Sequence, residues 1–365
     1  PTVVLALSVE WNRPYSELLP LALGGFIAFG AGSIPAGWIA DRWSRFGMMV
    51  IFFVGLGVAT AVTGLAQTPS QIAICLTFVG LFAAIYHPVG IAMLVANTPK
   101  VGSVLGINGV YGNAGLAFAA LIAGALAQWW SWRAAFVLPG LASIVIGFVF
   151  WSVGSKMSLA NPVAKAGGAK LPRSVLVRIF CVLVVSTMAG GIIFSATTIA
   201  MPKVFDERLN GLTNSTFGIG VLVCITYLIA AMAQLLVGNL LDRMPLKRIF
   251  VPVAVAQVPL LALAASTQNV MMLVVAVAMM FVVFGQIPIN DAMVARYTAE
   301  EWRARAYSVR YVMSFGASAC AVPLVAWAHR AYGDFNILFF LLAGVAVLLS
   351  IASFAFPGKE ASAVR

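Results

Sequence analysis

The stretch "GWIADRWSR", Gly37 to Arg45, places an aspartate and two arginines between two long apolar runs. The same frame returns in "GNLLDRMPLKR", Gly238 to Arg248, where Asp242 lies 201 residues after Asp41. A charged segment that recurs at this distance in an apolar chain indicates an internal repeat rather than a chance cluster.

Composition identifies the class of protein. The chain of 365 residues is 62% hydrophobic and 9% charged, whereas a soluble domain carries about 25% charged residues. Apolar runs of about 20 residues recur along the whole sequence, and a helix of that length crosses a hydrocarbon layer of about 30 Å. The sequence therefore predicts an all-α polytopic membrane protein.

Segmentation at proline, glycine and charge clusters predicts eleven complete spans. The upstream segment "PTVVLALSV" is too short to cross alone, and we interpret it as the end of a first span whose beginning is missing. A full-length protein would then have twelve spans. The eleven predicted spans are 17–40, 47–66, 71–95, 102–127, 134–154, 175–200, 214–240, 248–266, 270–294, 306–328 and 335–356.

The basic residues predict the orientation, because cytoplasmic loops carry an excess of lysine and arginine. Alternate loops divide the 22 basic residues very unevenly, and the poorer set has only Arg13, Arg133, Lys203, Arg208 and Arg330. The richer set includes both charged segments quoted above. We therefore expect these segments, and both termini of the full-length protein, to lie in the cytoplasm.

The two halves align at an offset of about 200 residues. Pro88 of "YHPVG" falls on Pro288 of "QIPIN", and both prolines are expected to kink their helices. Parallel repeats of this kind recur in secondary transporters. The predicted organisation is a first six-helix bundle at 1–154 with an incomplete first span, a cytoplasmic linker at 155–174, a second six-helix bundle at 175–356 and a cytoplasmic tail at 357–365.

The charged segments resemble a loop motif of the major facilitator superfamily, whose pattern is Gly, x, Leu, Ala, Asp, Arg, x, Gly, Arg, Arg/Lys. The first segment departs from it at Ser44, where the family usually has glycine, and at Phe46, where it usually has a base. The matching positions are Gly37, Asp41, Arg42 and Arg45 in the first copy and Gly238, Asp242 and Arg243 in the second.

A further resemblance points to a branch of that superfamily. "YHPVG" followed by "WSWRAAF" is similar to the fosmidomycin-resistance-like drug efflux branch, and "GINGVYGNAG" is loosely similar to a glycine-rich antiporter motif. The second stretch lacks the Gly-Pro pair of that motif.

The superfamily resemblance implies alternating access between two six-helix bundles. It also implies a gating role for the seven motif residues, in which the aspartate pairs with a neighbouring helix end and the arginines bridge helices on the cytoplasmic side. The alternative is that these residues only fix the topology of the chain. Because the aspartate adds nothing to the positive-inside rule and recurs, we favour gating.

Polar residues inside the spans are candidate functional sites, because a charge in the membrane is costly. His87 is a candidate protonatable or substrate-binding group, or a structural histidine bonded to a backbone carbonyl. Asp291 is a candidate proton carrier, or the structural partner of Arg296 or Arg303. Arg310 could bind an anionic substrate, or extend to the cytoplasmic interface. Substrate contact and helix packing are both open for Asn108, Asn113 and Asn290.

Among function classes, the sequence favours a secondary active transporter of a small organic solute. There is no Walker A pattern and no histidine, cysteine or carboxylate arrangement typical of an enzyme or a metal site. The favoured interpretation is proton-coupled export, for which an anion would suit Arg310. Uptake or exchange of a small organic anion or metabolite, or a non-transporting sensor, are the alternatives.

The same reasoning predicts the surroundings and partners of the protein. We expect a monomer in a bacterial inner membrane whose partners are the solute, protons and lipid, with no cofactor other than the proton-motive force. The basic residues form no stripe with interleaved aromatics, so the sequence gives no indication of nucleic-acid binding.

Overall fold

A computed structural model describes residues 2–96, 101–154, 172–209, 212–213, 215–298 and 300–358. Within these ranges the side chains of residues 41, 92, 95, 96, 101–106, 295 and 300–308 are not described. Most of the predicted linker and the predicted tail beyond residue 358 lie outside the description, so their boundaries stay predictions.

The regular secondary structure of the described residues is entirely helical, with no strand. A four-residue 3₁₀ turn, Leu19–Ala22, precedes α3, and a π turn, Tyr86–Gly90, separates α5 from α6. The helices are α1 (Thr2–Glu10), α2 (Tyr15–Leu18), α3 (Leu23–Arg42), α4 (Arg45–Thr63), α5 (Pro69–Ala83), α6 (Ile91–Ala96), α7 (Val101–Trp129), α8 (Ala134–Gly154), α9 (Arg173–Arg208), α10 (Thr216–Arg243), α11 (Leu246–Ser266), α12 (Asn269–Tyr297), α13 (Glu300–Tyr332) and α14 (Asn336–Ala355).

Eleven segments of the described chain are long and apolar enough to cross a membrane. They correspond one to one to the eleven predicted spans, so the prediction of an all-α polytopic protein is confirmed. The largest difference is in α9, which continues to Arg208, eight residues beyond the predicted end of its span.

The chain divides into two compact units. The first unit comprises residues 1–108, 119–163 and 215–221, and the second comprises residues 109–118, 164–214 and 222–365. Helix α1 belongs to the first unit, where Val3 and Leu7 pack in a buried cluster with Leu18, Ile72 and Trp132.

Glycine lets the helices of the first unit approach very closely. A Cβ atom on Gly80 of α5 would lie 1.9 Å from the carbonyl oxygen of Gly25 in α3. One on Gly57 of α4 would lie 2.6 Å from the carbonyl oxygen of Gly140 in α8. At both places backbone packs against backbone, and no larger residue fits without a shift of the helices.

In the second unit, basic side chains bind the carbonyl ends of helices. Lys247 donates to the carbonyl oxygens of Phe354 and Phe356, and Arg178 donates to that of Ala355. These groups lie at or just beyond the last residues of α14. A cation here stabilises the helix because the carbonyl end carries partial negative charge.

The two predicted kink prolines behave differently. Pro88 lies within the π turn between α5 and α6, where the regular helix is interrupted. Pro288 lies inside α12, which continues through it to Tyr297. Since proline has no N–H to donate, both positions lack one helical hydrogen bond, but only around Pro88 is the α-helix interrupted.

Candidate functional site

An ion pair inside the second unit joins two candidate residues. Arg310 of α13 donates from Nη1 to the Asp291 carboxylate of α12. Arg310 is only 8% exposed, whereas 41% of the Asp291 side chain is exposed. The guanidinium also lies over the Tyr311 ring, with Cζ 5.3 Å from the ring centroid.

The pairing of Asp291 with Arg310 was not among the arrangements considered from sequence. Arg310 is 8% exposed, so its guanidinium lies among protein groups. Arg296 does not pair with Asp291, because its guanidinium donates to the carbonyl oxygen of Leu241 at 2.6 Å. The side chain of Arg303 lies outside the described residues.

A buried polar network lies beside the ion pair. Ser186 of α9 donates to Asn290 Oδ1 at 2.6 Å, and Gln286 Nε2 lies 3.1 Å from Ser186 Oγ and 3.2 Å from Asn290 Oδ1. All three residues are at most 6% exposed. Gln286 and Asn290 are four residues apart, which places them on the same face of α12, and Asn290 directly precedes Asp291.

One acceptor in this network is unused. Among the described residues, the buried Gln286 Oε1 accepts no hydrogen bond. An unpaired buried carbonyl is costly, so a ligand N–H or O–H would be a favourable partner for it. The sequence drew attention to Asn290, but Ser186 gave no signal because a single serine in an apolar span is common.

The first unit holds a separate group of candidates. The Tyr86 hydroxyl donates to Asn108 Oδ1, and the His87 ring lies 5.8 Å from Phe29 and 5.7 Å from Tyr86, centroid to centroid. His87 is therefore set among aromatic rings. This group includes one titratable candidate of the first unit and an amide that is already hydrogen-bonded.

Asn113 lies in the second unit and bonds within its own helix. Its Nδ2 donates to the carbonyl oxygen of Gly109 at 2.8 Å, four residues earlier. The structure therefore gives Asn113 a partner within α7 and does not bring it to the other candidates.

The first charged segment forms the end of α3 and the start of α4. Gly37 lies against the π turn, since a Cβ there would be 3.3 Å from Pro88 Cβ. Arg42 is exposed and stacks on Trp38, with Cζ 4.0 Å from the ring centroid. The Asp41 side chain lies outside the described residues, and Arg45 begins α4.

The departure at Ser44 has a local explanation. Its hydroxyl accepts from the backbone N–H of Gly47 at 2.9 Å and caps the N-terminus of α4. Serine is among the preferred N-cap residues, whereas glycine has no side-chain acceptor. The start of α4 is thus stabilised here by a side-chain cap, which the glycine of the family pattern cannot provide.

The second charged segment is arranged differently. The Asp242 side chain is 86% exposed, and its nearest described cation is Arg296 at 4.0 Å. Arg243 is exposed. A Cβ on Gly238 would meet no described atom within 4 Å beyond its own helix. The principal link here is the bond from Arg296 to the carbonyl end of α10.

A charged cluster that the sequence did not single out lies at the end of α9. Glu207 contacts His329 of α13 at 2.7 Å and Lys203 at 3.5 Å. Arg208 is 3% exposed and donates to the carbonyl oxygen of Ala264 and to Asn336 Oδ1. These contacts join the ends of four helices in the second unit.

The residues show no metal site in the described part of the chain, where no three histidine, cysteine or carboxylate side chains come together. The geometry instead gives an ion pair and a polar network that share α12. Such a site can bind an anion, a proton and a hydrogen-bonding group.

Two overlapping matches to a family model together cover the whole chain. Residues 1–226 and 179–365 match the model described as Major Facilitator Superfamily. A curated relative, the puromycin resistance protein pur8 of Streptomyces alboniger, is 27% identical over 110 residues. That match covers 29% of this chain and 22% of the relative.

Solved structures share the fold. A bacterial homolog of the human lysosomal transporter Spinster, in an inward-facing and occupied conformation, matches with a TM-score of 0.76 and 15% identity over 100% of this chain and 92% of that chain. A POT family transporter in complex with 5-aminolevulinic acid matches at 0.78 and 14%, over 98% and 92%. The E. coli fucose:proton symporter matches at 0.64 and 13%, over 98% and 97%.

Proposed function

The chain belongs to the major facilitator superfamily of membrane transporters, and on this basis we propose that it is a secondary active transporter that couples a small organic anion to protons by alternating access. The observation that carries this proposal is the pair of Asp291 and Arg310 within the spans of the second unit.

The pair supplies a physical route to coupling. A guanidinium stays charged at any physiological pH, so buried Arg310 requires an anion beside it. Asp291 is that anion when ionised. When Asp291 takes up a proton, the requirement passes to a carboxylate or phosphonate of the solute, so that proton and anion favour each other's binding.

The polar network provides orientation. The Ser186 hydroxyl donates a hydrogen bond to Asn290, and Gln286 Oε1 is available to accept one from the solute. A site that satisfies a solute N–H or O–H rejects analogues that lack it, because its own acceptor then stays unpaired. We propose that these three residues select the solute and that the ion pair couples it to protons.

The same site is compatible with uptake or with export, depending on the charge of the solute. An anion that binds together with a proton moves with it, which favours uptake driven by the proton gradient. Proton-driven export requires that solute and proton exclude each other, and a solute amine that competes with the proton for Asp291 would meet this requirement. The likeness to a puromycin resistance protein supports the second candidate.

The gating role of the charged segments is proposed on the same basis. Gly37 fixes α3 against the π turn at Pro88, and the end of α3 carries Asp41 and Arg42. A charged hydrogen bond of about 1.5–3 kcal/mol is enough to bias two states that differ by a few kcal/mol. Replacing Asp41 with Asn should slow transport and leave the amount of folded protein unchanged.

The test uses purified protein in liposomes that contain a trapped pH-sensitive dye, with no gradient imposed. Small carboxylates, phosphonates and amine-bearing drugs are added outside in turn. Symport acidifies the interior and antiport makes it alkaline, whichever way the protein is inserted. Protein-free liposomes correct for solutes that carry protons across by themselves.

Variants decide whether the pair carries the coupling. Asp291→Asn and Arg310→Gln should each abolish the solute-dependent proton flux, whereas Glu17→Gln, which removes an exposed carboxylate that pairs with Arg13 four residues earlier, should keep it. An unchanged flux in Asp291→Asn would refute the proposed role of the pair. Equal solute entry with no proton flux in the parent protein would refute proton coupling.

A further inference from the structure

A cavity of about 230 Å³ lies between α10, α11 and α12 of the second unit. Its walls are apolar and include Ala233, Val237 and Leu240 of α10, Pro252 of α11, and Phe281 and Gly285 of α12. It is separate from the polar network and the ion pair, whose residues do not line it. An apolar cavity of this kind offers no favourable partner to a charged solute or a proton.

The cavity is partly open and not fully enclosed. Leu236, which also lines it, is 50% exposed. Because the helices around it are membrane spans, an apolar opening between them faces hydrocarbon unless protein covers it. An acyl chain is the apolar group available there in quantity.

The lining of this cavity, called the groove from here on, includes one positively charged side chain. Arg248, in the first turn of α11, lines the cavity and is exposed. The ion pairs formed between described residues do not use its guanidinium. The neighbouring Lys247 is engaged by carbonyl groups at the end of α14, so Arg248 is the cation that the groove presents.

We propose that this groove binds an anionic phospholipid, with one acyl chain between α10, α11 and α12 and the headgroup phosphate on Arg248. Arginine donates two parallel hydrogen bonds to phosphate, and each methylene taken up adds apolar contact. The basic-residue count predicts that Arg248 faces the cytoplasm, where anionic lipid attracts basic segments. Net negative headgroup charge distinguishes this lipid from a zwitterionic one.

The experiment is native mass spectrometry of the full chain after incubation with equimolar dioleoyl phosphatidylglycerol and dioleoyl phosphatidylcholine. The two lipids have identical chains, so a difference in retention reports the headgroup. We expect one phosphatidylglycerol to be retained in preference. Arg248→Gln should lower that preference about fivefold, the change expected for one basic residue near the headgroups.

Two further variants distinguish lipid binding in the groove from a general effect of the protein's positive charge. Val253→Phe fills the groove from α11 and should reduce retention of both lipids. Arg173→Gln removes an exposed charge at the start of α9, away from the groove, and should behave as the parent protein. Equal retention of the two lipids by the parent protein, or an undiminished preference in Arg248→Gln, would overturn the proposal.

Discussion

The two units of this transporter hold their helices together by different means. In the first unit, Gly80 and Gly25 bring α5 and α3 into backbone contact, and Gly57 and Gly140 do the same for α4 and α8. In the second unit, a Cβ on the motif glycine Gly238 would meet no described atom within 4 Å. The polar links between helices of the second unit include the ion pair and the network proposed to bind the solute.

The difference shows that a duplicated architecture does not require a duplicated set of contacts. Backbone contact through glycine depends on size and is indifferent to charge. Polar links depend on partners and change when a proton or an anion arrives. If the proposed function is right, solute binding changes the polar links of the second unit, whereas the glycine contacts of the first unit are indifferent to a proton or an anion.

Substituting one glycine in each unit gives the largest expected effect. Gly80→Ala should destabilise the protein by about 3 kcal/mol or more, because overpacking costs typically 1–3 kcal/mol and here the added Cβ meets a backbone oxygen. Gly238→Ala, the same chemical change, should stay within about 0.5 kcal/mol. Thermal unfolding in detergent measures both. Equal shifts in the two variants would contradict the comparison.

The ion pair should give the next largest effect. In a double-mutant cycle of Asp291→Asn and Arg310→Gln, we expect a coupling energy of about 2 kcal/mol, within the range for residues in contact. Asp291→Asn alone should be less stable than the double variant, because it leaves a buried guanidinium without its counterion. If the single and double variants unfold alike, the pair contributes nothing to holding α12 against α13.

The serine hydroxyls test the polar links on a smaller scale. Ser186→Ala breaks a bond between α9 and α12 and should cost about 1 kcal/mol. Ser33→Ala is the matched change in the first unit, where the hydroxyl bonds mainly within α3, to the carbonyl oxygen of Phe29 at 2.9 Å. It should cost less, because that carbonyl also takes part in the helix. Thermal unfolding measures both losses. A larger loss of stability in Ser33→Ala than in Ser186→Ala would contradict the view that the hydroxyl bond between helices in the second unit is the stronger of the two.

The spans were predictable from the sequence because length and apolar character alone determine whether a helix can cross a membrane. The end of α9 was not, because its extension to Arg208 depends on polar contacts made by that end. Lys203 pairs with Asp206 and Glu207 along the helix, and Arg208 is held by carbonyl and amide oxygens on other helices. Apolar periodicity detects neither the charge pairs along α9 nor the contacts of Arg208 with other helices.

The site was predictable residue by residue but not as an arrangement. Asp291, Arg310 and Asn290 attract notice because polar groups are rare in these spans. From the sequence, Arg296 and Arg303 were considered as partners of Asp291, whereas its described ion pair is with Arg310, 19 residues away on the next helix. Whether a glycine packs against backbone or faces open space also depends on the neighbouring helix, so Gly80 and Gly238 look alike in sequence.

The smallest expected effect concerns the end of the first unit where α1 finishes. Arg133 donates to Glu10 at 2.8 Å, and this hydrogen bond lowers the pKa of the Glu10 carboxyl. Both side chains are substantially exposed. Exposed pairs contribute about 0.2–1 kcal/mol, so Glu10→Gln should lower stability by a few tenths of a kcal/mol at neutral pH.

The pH dependence of that loss follows from the direction of the pKa shift. Because the folded-state pKa of Glu10 lies below its unfolded value, the stabilisation is fully present above the unfolded pKa of about 4.3 and disappears as pH falls through the folded-state pKa. The difference in thermal midpoint between the parent protein and Glu10→Gln should therefore shrink between pH 6 and pH 3. The other carboxylates titrate in both proteins and cancel. Arg133→Gln should show the same narrowing, and a difference that stays constant with pH would mean that the first unit draws no stability from this charge pair.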